Sequence, residues 1–170
     1  MGVGQNKTRN ITFINLDSKA YKFVVKKDEK HYDFIEGYIE KIDFKEDTIK
    51  AGTNVTNVRF HFRDNEHENL LYILCINYNN GAAISIINFL ASIEKFGVVN
   101  IGVWKSKEDD FPRISAKNNG AKLSWKYNTG DFPKSESIKI NNQVYKSRDK
   151  QMEFFKKVVE YIQNSYLAGL

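Results

Sequence analysis

The central part of the chain alternates between apolar and polar positions, as expected for strands with one buried face. From residue 58 to residue 63 every second side chain is apolar, and Arg59, His61 and Arg63 fill the intervening positions. Residues 70–78 are apolar on both faces, which is typical of a strand covered on each side. Residues 98–105 alternate again. Asn118-Asn119-Gly120 then separates two further β patterns, 111–117 and 121–127, and predicts a hairpin.

Two segments instead repeat their apolar residues every three or four positions, which predicts helices with one buried side. The first follows the break at residues 79–81 and runs to about Phe96. The second covers residues 149–168, where Asp149 is a suitable N-cap. Its apolar stripe consists of Met152, Phe155, Val159, Ile162 and Tyr166.

The order of these segments predicts one domain, residues 1–170, that is mainly β with α. We expect an OB-like five-stranded barrel over residues 32–128, with one inserted helix and a C-terminal amphipathic helix at 149–168. Residues 10–30 predict an N-terminal hairpin extension. Gly37 lies inside the strand 34–44 and indicates the sharp bend that a barrel needs in order to close. In that strand Ile35 and Ile39 are expected on one face, and Phe34, Tyr38, Ile42 and Phe44 on the other.

The composition indicates in which cellular compartment the protein works and which class of partner it binds. The net charge of +5 over 170 residues favours an anionic partner, although the excess is mild. The single cysteine, Cys75, cannot form an internal disulfide, and this indicates a reducing cytoplasm. The N-terminus lacks the apolar core of a signal peptide, and the longest apolar stretches are too short or too polar to cross a bilayer, so we expect no membrane association.

Basic and aromatic side chains on the predicted strands form the candidate site. Cations on strand faces neutralise phosphates, and an exposed indole can stack on a base. Trp104 shares its face with Asn100 and Gly102; the alternative is that another element covers it. Trp125 is expected in the core. The predicted nucleic-acid contacts are Arg59, His61, Arg63, Trp104, Lys105, Lys107, Arg113, Lys117, Lys122 and Lys126, with Tyr72 and Phe111 as further stacking candidates.

Catalysis has less support in the sequence. The three histidines match no metal signature, and the glycines form neither a phosphate loop nor a dinucleotide fingerprint. Glu108-Asp109-Asp110 could hold Mg²⁺ in a nuclease, but a charged loop explains these acids more simply. We therefore expect a protein that is not an enzyme and needs no metal and no cofactor.

Several segments together resemble a known family. They are the opening MGVGQNKTRNITFINL, the strand YDFIEGYIEKIDF, the helix GAAISIINFLASI and the pair NIGVWKSK and FPRISAKNNGAKLSWKY. In order and character they are similar to OB-fold single-stranded DNA-binding proteins of bacteriophages of the Bacteroidetes type and of related mobile elements. The resemblance implies sequence-tolerant coating of single-stranded DNA during replication or recombination in the host cytoplasm. Arg59, Arg63, Trp104 and Lys105 hold places that match the basic and aromatic groove of that family.

The sequence departs from the pattern of that family at its C-terminal end, and a second hypothesis for its function remains. Many members end in an acidic tail that recruits replication or recombination proteins, whereas this sequence ends QNSYLAGL after its amphipathic helix. A different hypothesis is a protein–protein module, an adaptor or an inhibitor of a host complex. In that case the C-terminal helix would form the interface, and it could equally support a homodimer.

Overall fold

The computed structural model describes residues 9–48, 52 and 54–167, and this part of the chain is mainly β with two helices. The strands are β1 (Asn10–Asp17), β2 (Lys22–Val25), β3 (His31–Tyr32), β4 (Phe34–Thr48), β5 (Asn54–Arg63), β6 (Leu70–Asn77), β7 (Val99–Lys105), β8 (Pro112–Asn118), β9 (Ala121–Lys122), β10 (Glu136–Ile140) and β11 (Gln143–Ser147). The helices are α1 (Gly81–Ala91) and α2 (Asp149–Ile162), and α2 continues into a π-helical segment, Gln163–Leu167.

Nine strands form one mixed sheet in the order β3-β2-β1-β6-β5-β4-β7-β8-β9. Neighbouring strands are antiparallel except β1 and β6, which run parallel from the pair Asn10–Leu70 to the pair Asn15–Cys75. The predicted N-terminal hairpin is present, because β1 and β2 pair antiparallel. It is part of the main sheet rather than an extension of it. Strands β10 and β11 form a separate two-stranded sheet.

The pairing order of the main sheet is open, with β3 and β9 at its edges. The mainly β class with two helices is therefore confirmed, whereas a closed five-stranded barrel is not. Among the described residues β6 pairs with β5 on one side and with β1 on the other, so no side of it is left for the strand that would close a barrel. The second strand of the predicted 111–127 hairpin is also shorter than expected, since β9 ends at Lys122. The chain then leaves the sheet, and the NH of Lys126 bonds to the carbonyl of Asn88 in α1.

Strand β4 pairs with two partners and reverses its faces along its length. Residues 34–37 pair with β7, and residues 38–48 pair with β5, with a bulge between Ile39 and Lys41. The extra residue of a bulge moves later side chains to the opposite face. Ile35, Ile39, Ile42 and Phe44 consequently all pack into the core, and the opposite faces expected for the two pairs were wrong. At the change of partner, a Cβ on Gly37 would lie 2.4 Å from the carbonyl oxygen of Arg63, so only glycine fits.

The core lies between the inner face of the sheet and the two helices. Phe23, Phe60, Phe62, Leu90 and Phe155 are completely buried there. Helix α1 begins at its N-cap Asn80, whose side chain accepts a hydrogen bond from the NH of Ala82, and it ends at Ala91, earlier than predicted. Neither helix in the described part of the chain has the length and apolar character that crossing a membrane requires.

The apolar stripe of α2 packs inside the chain. Phe155, Val159 and Ile162 are buried as expected, while Met152 and Tyr166 are only partly covered. Phe155 lies edge-on to Phe132, with 5.0 Å between the ring centroids. A partner or a second copy that binds α2 would therefore meet its polar side, not this stripe.

One polar side chain, Asn88 of α1, is completely buried. Its Nδ2 donates to the carbonyl oxygen of Tyr127 at 2.6 Å, and its Oδ1 accepts from the NH of Tyr127 at 2.7 Å. Buried polar groups are stable only when they are paired. Asn88 thus fastens the segment after β9 to the inserted helix.

Candidate nucleic-acid interface

The solvent-facing side of β4, β7, β8 and β9 carries three rows of side chains. In the first row Trp104 pairs with Arg113; in the second, Gly102 lies between Phe34 and Ser115. The third row runs across four strands, Glu36, Asn100, Lys117 and Lys122. Paired residues on neighbouring strands project to the same face. We call these nine residues the tryptophan face.

Two aromatic rings stand exposed on this face. Phe34 is 53% exposed and Trp104 is 51% exposed, while the alternate residues Ile35, Ile101 and Val103 are buried. Phe34 lies opposite Gly102, so Trp104 is its diagonal neighbour at about 7 Å. Gly102 is buried, and a Cβ there would meet Ser115 Oγ at 2.7 Å, so the Ser115 hydroxyl lies over the glycine. The face therefore has a small polar centre, with an exposed ring on each of two sides.

Four lysines on this face or near the end of β7 have no carboxylate partner among the described residues. They are Lys105, Lys107, Lys117 and Lys122. Lys105 alternates with Trp104 along β7, so its side chain projects to the opposite side of the strand, where its Nζ lies 5.4 Å from the centre of the Tyr21 ring, a cation–π distance. Lys105 therefore does not belong to the tryptophan face, where the sequence predicts it. Arg113 differs, because it forms an ion pair with Asp109. Glu36 is the carboxylate of the face, and it shares a row with Lys117 and Lys122.

The loop between β7 and β8 adds another exposed ring. Phe111 is 74% exposed, and its NH bonds to Asp109 Oδ1 at 3.1 Å. The Tyr21 hydroxyl donates to the carbonyl oxygen of Asp110 at 2.8 Å, so the β1–β2 turn supports this loop. Of the acids 108–110, Asp109 stabilises the loop through its carboxylate, which accepts from the NH of Phe111 and pairs with Arg113. Among the described residues no group of three His, Cys, Asp or Glu side chains could hold a metal ion.

The arginines of β5 are brought together, and each lies next to an acid of β4, although Glu40 beside Arg63 also accepts two hydrogen bonds from Arg9. Arg59 donates from Nε and Nη2 to the two carboxylate oxygens of Asp43, both at 2.7 Å. Arg63 Nε lies 3.3 Å from Glu40, and its guanidinium lies 4.9 Å from the centre of the Tyr38 ring. Burial alone would raise the pKa of Asp43, but hydrogen bonds and charge from Arg59 hold that pKa below its usual value. This strand face therefore differs from the array of free cations that its alternation predicts.

His61 lies between these arginines and is almost fully covered. Its Nε2 is 3.4 Å from Asp43 Oδ2, yet it has no properly directed hydrogen bond among the described residues. Burial lowers the pKa of His61; Asp43 acts against this, and the charges of Arg59 and Lys41 lower it further. The folded protein consequently favours the neutral imidazole.

This depressed pKa makes stability depend on pH. Unfolding exposes His61, whose pKa returns to about 6.5, so below that pH the unfolded state binds the proton more readily. We expect the free energy of unfolding to fall as the pH decreases from about 7 to about 5. Urea titrations at several pH values measure this change. His61→Gln should flatten the dependence in this range, and equal slopes for both proteins would show that another group is responsible.

Three other residues for which the sequence predicts a role or a position lie outside the tryptophan face. Lys126 Nζ is 5.7 Å from the Tyr127 ring and 5.8 Å from the Tyr161 ring, beside α2 and not with Lys117 and Lys122. Tyr72 is partly buried against the core, and its hydroxyl donates to Asp64 at 3.3 Å. Trp125, expected in the core, is 40% exposed and meets Phe89 edge-on.

Phe34 is the residue of this face that the sequence pattern missed. The pattern predicts it on the same side as Ile42, which is buried, and Phe44, which packs against the core. The signal lay in the alternation before Gly37, where Phe34 and Glu36 oppose Ile35. Only the bulge after Ile39 explains why that alternation does not continue along the strand.

Comparison with known proteins adds no relative. No protein-family model matches the chain, no curated protein matches it, and no solved structure matches it. The tryptophan face is consequently the feature from which a function can be inferred.

Proposed function

We propose that the chain binds single-stranded DNA on the tryptophan face, with little sequence preference. The supporting observation is that Phe34 and Trp104 are half exposed on either side of Gly102, next to lysines without carboxylate partners. Exposed rings on a folded sheet offer flat surfaces to unpaired bases, and stacking on them accepts any base. Lys117 and Lys122 on the face and Lys107 in the adjoining loop would neutralise the phosphates.

The strand order supports the OB-like part of this proposal. Strands β6-β5-β4-β7-β8 are consecutive neighbours, and α1 connects β6 to β7. This is the order of the five strands in an OB-fold, with the helix between the third and the fourth. OB-folds bind oligonucleotides on the face of the second and third strands and on the loops between strands one and two and between strands four and five. In this chain the β7–β8 loop, which carries Lys107 and Phe111, corresponds to the last of these loops, whereas the tryptophan face lies on the first, fourth and fifth strands.

The same chemistry supports a role in coating DNA. The tryptophan face has few side chains suited to reading base edges, chiefly Asn100 and Ser115, so rings and charges dominate. Binding of that kind tolerates any sequence and tracks the backbone. Coating of single strands during phage replication or recombination, in the host cytoplasm, is the role that we propose.

The proposal predicts a measurable dependence on salt. Each phosphate contact to a single strand contributes about −0.7 to the slope of log K against log salt concentration. If Lys107, Lys117 and Lys122 each contact one phosphate, the slope should be about −2.1. Fluorescence anisotropy of a labelled poly-dT oligonucleotide, titrated at several salt concentrations, measures it. Lys117→Gln should make the slope shallower by about 0.7.

Lys157→Gln is the matched control, since Lys157 is exposed on α2, away from this face. It should leave the slope unchanged. Equal slopes for the parent and Lys117→Gln would exclude Lys117 from the interface. Absence of any salt-dependent binding would overturn the proposed function itself.

A further inference from the structure

A cleft opens beside the tryptophan face, between the N-terminal strands and the start of β4. It has a volume of about 710 Å³, and it is lined by residues of β1, β2 and β3, by residues 34–36 and by the turn that follows β5. Cavities of about 300–1,000 Å³ are typical of small-molecule sites. The cleft therefore has room for a group of the size of a nucleotide, in a place to which no role has yet been given.

Aromatic side chains form a large part of the lining of the cleft. Phe13 and Tyr32 are 45% and 46% exposed, and the half-exposed Phe34 lines the cleft as well. Tyr72 is a fourth ring of the lining, and its orientation is fixed by the hydrogen bond from its hydroxyl to Asp64. Half-exposed rings within one concave surface favour a flat, largely apolar ligand that covers them, and a nucleobase has this shape.

The cleft is continuous with the tryptophan face, because Phe34 and Glu36 belong to both. Among the described residues that line the cleft, none belongs to β7, the strand that carries Trp104. Phe34 is therefore the ring that connects the two surfaces. A strand that stacks on Trp104 and Phe34 arrives directly at the mouth of the cleft.

The backbone of β4 directs hydrogen-bonding groups toward this border. The NH of Val103 in β7 bonds to the carbonyl oxygen of Asp33, and the next residues of β4 continue that antiparallel ladder. Successive residues of a strand direct their NH and carbonyl groups to opposite edges, so those of Phe34 and Glu36 point away from β7. On that edge β5 pairs with β4 only from Tyr38 onwards. In the described part of the chain, the two residues thus have no strand beside them at the cleft.

The charges of the lining suit a base better than a phosphate. Three acids face two lysines in it: Asp28, Glu36 and Asp64 against Lys26 and Lys27. An excess of acids does not attract a phosphate, whereas a base is uncharged and its edge both donates and accepts hydrogen bonds. A peptide strand added to β4 fits less well, because only two residues direct backbone groups to the cleft and a strand needs a longer row.

We propose that the cleft is a base-binding subsite, into which one unpaired base turns from the strand on the tryptophan face. The base inserts among Phe13, Tyr32 and Phe34, and backbone groups of β4 meet its edge, a combination of stacking and edge contacts that pockets for extruded bases use. Backbone donors and acceptors serve the edge of any base, so the subsite keeps the low sequence preference. A base in the cleft requires a strand on the tryptophan face, so this subsite rests on the proposed function and deepens it.

Two variants of the full chain test the subsite, Phe13→Ala and Tyr32→Ala. Both rings line the cleft, lie outside the tryptophan face and are about half exposed, so the fold should tolerate their loss. The probe is the shortest labelled oligo-dT that reaches full affinity, and anisotropy measures its binding. Each variant should raise the Kd at least about fivefold. Tyr161→Ala, which removes a ring of similar exposure from α2, is the control and should bind like the parent.

Removal of single bases from the same oligonucleotide shows whether a base meets the ring. One abasic site is placed at each position in turn, and the ends of so short a strand fix its position on the protein. Several positions should weaken binding of the parent, because their bases stack on one of the two surfaces. In Phe13→Ala one of these positions should lose its effect, since the base and the ring act as a pair, and the others should keep theirs.

The outcomes separate the subsite from the proposed function. If the parent binds no single strand, the proposed function fails and the subsite fails with it. If the parent binds, while both cleft variants bind as tightly and respond to the same abasic positions, the cleft takes no base and only the subsite is overturned. Circular dichroism checks the fold of each variant. Phe13→Leu keeps an apolar side chain and removes only the ring, so it replaces Phe13→Ala if that protein does not fold.

Discussion

Replacing Phe34 and Trp104 together by alanine is expected to weaken binding of a single-stranded oligonucleotide by about 2–6 kcal/mol, since each stacked base contributes about 1–3 kcal/mol. The lower end of that range is already about a 30-fold rise in Kd. The two rings are about half exposed, so their loss removes contact with a ligand rather than core packing. Anisotropy titrations with labelled poly-dT at fixed salt measure the change.

The control for this result is Trp125→Ala. Trp125 is 40% exposed, so its replacement removes an indole surface comparable to that of Trp104. It packs beside Phe89, outside the tryptophan face. It should bind DNA like the parent. Circular dichroism should show the same fold for all three proteins. If the double variant folded normally and bound as tightly as the parent, the tryptophan face would have to be abandoned as the binding surface.

Asn88→Ala is expected to lower the free energy of unfolding by about 2–5 kcal/mol, because it leaves the NH and the carbonyl of Tyr127 without their partner in a buried place. For a chain of this length such a loss lowers the melting temperature by about 5–15 °C. Thermal unfolding followed by circular dichroism measures it. The segment after β9 should also become more open to proteolysis, since its connection to α1 is lost.

Asn164→Ala is the comparison for that change. It removes the same amide from an exposed position in the π-helical segment. A small effect is expected there. If both variants melted at the same temperature as the parent, the hydrogen bonds of Asn88 would contribute nothing net to stability.

The elements that depend on local pattern could be predicted from the sequence. The alternation of Val58, Phe60 and Phe62 correctly placed these side chains in the core. The apolar spacing before Gly97 and after Asp149 correctly indicated the two helices, and Asn119-Gly120 the β8–β9 hairpin. Each of these signals comes from residues that are close together in the chain, where the period of the backbone is visible.

The partners of the β5 arginines depend on register, which the sequence does not display. The acids at 40, 43 and 47 are visible in the sequence, but the bulge between Ile39 and Lys41 decides which of them faces Arg59. Phe34 precedes the bulge and lies on the solvent side, whereas Ile42 and Phe44 follow it and pack into the core. One inserted residue thus breaks the alternation along β4, so the sequence pattern alone does not show which side Phe34 faces or which acid faces Arg59.

The parallel pairing of β1 with β6 has a consequence for biosynthesis. The ribosome releases β1 first, but its hydrogen-bonding partner, which begins at Leu70, is made 60 residues later. At a usual elongation rate this is a delay of about 3–12 s. During that interval the apolar side chains of residues 11–16 have only the short β2 for cover, so they stay exposed in the nascent chain. The parallel pair can form only once residues 70–75 have been synthesised.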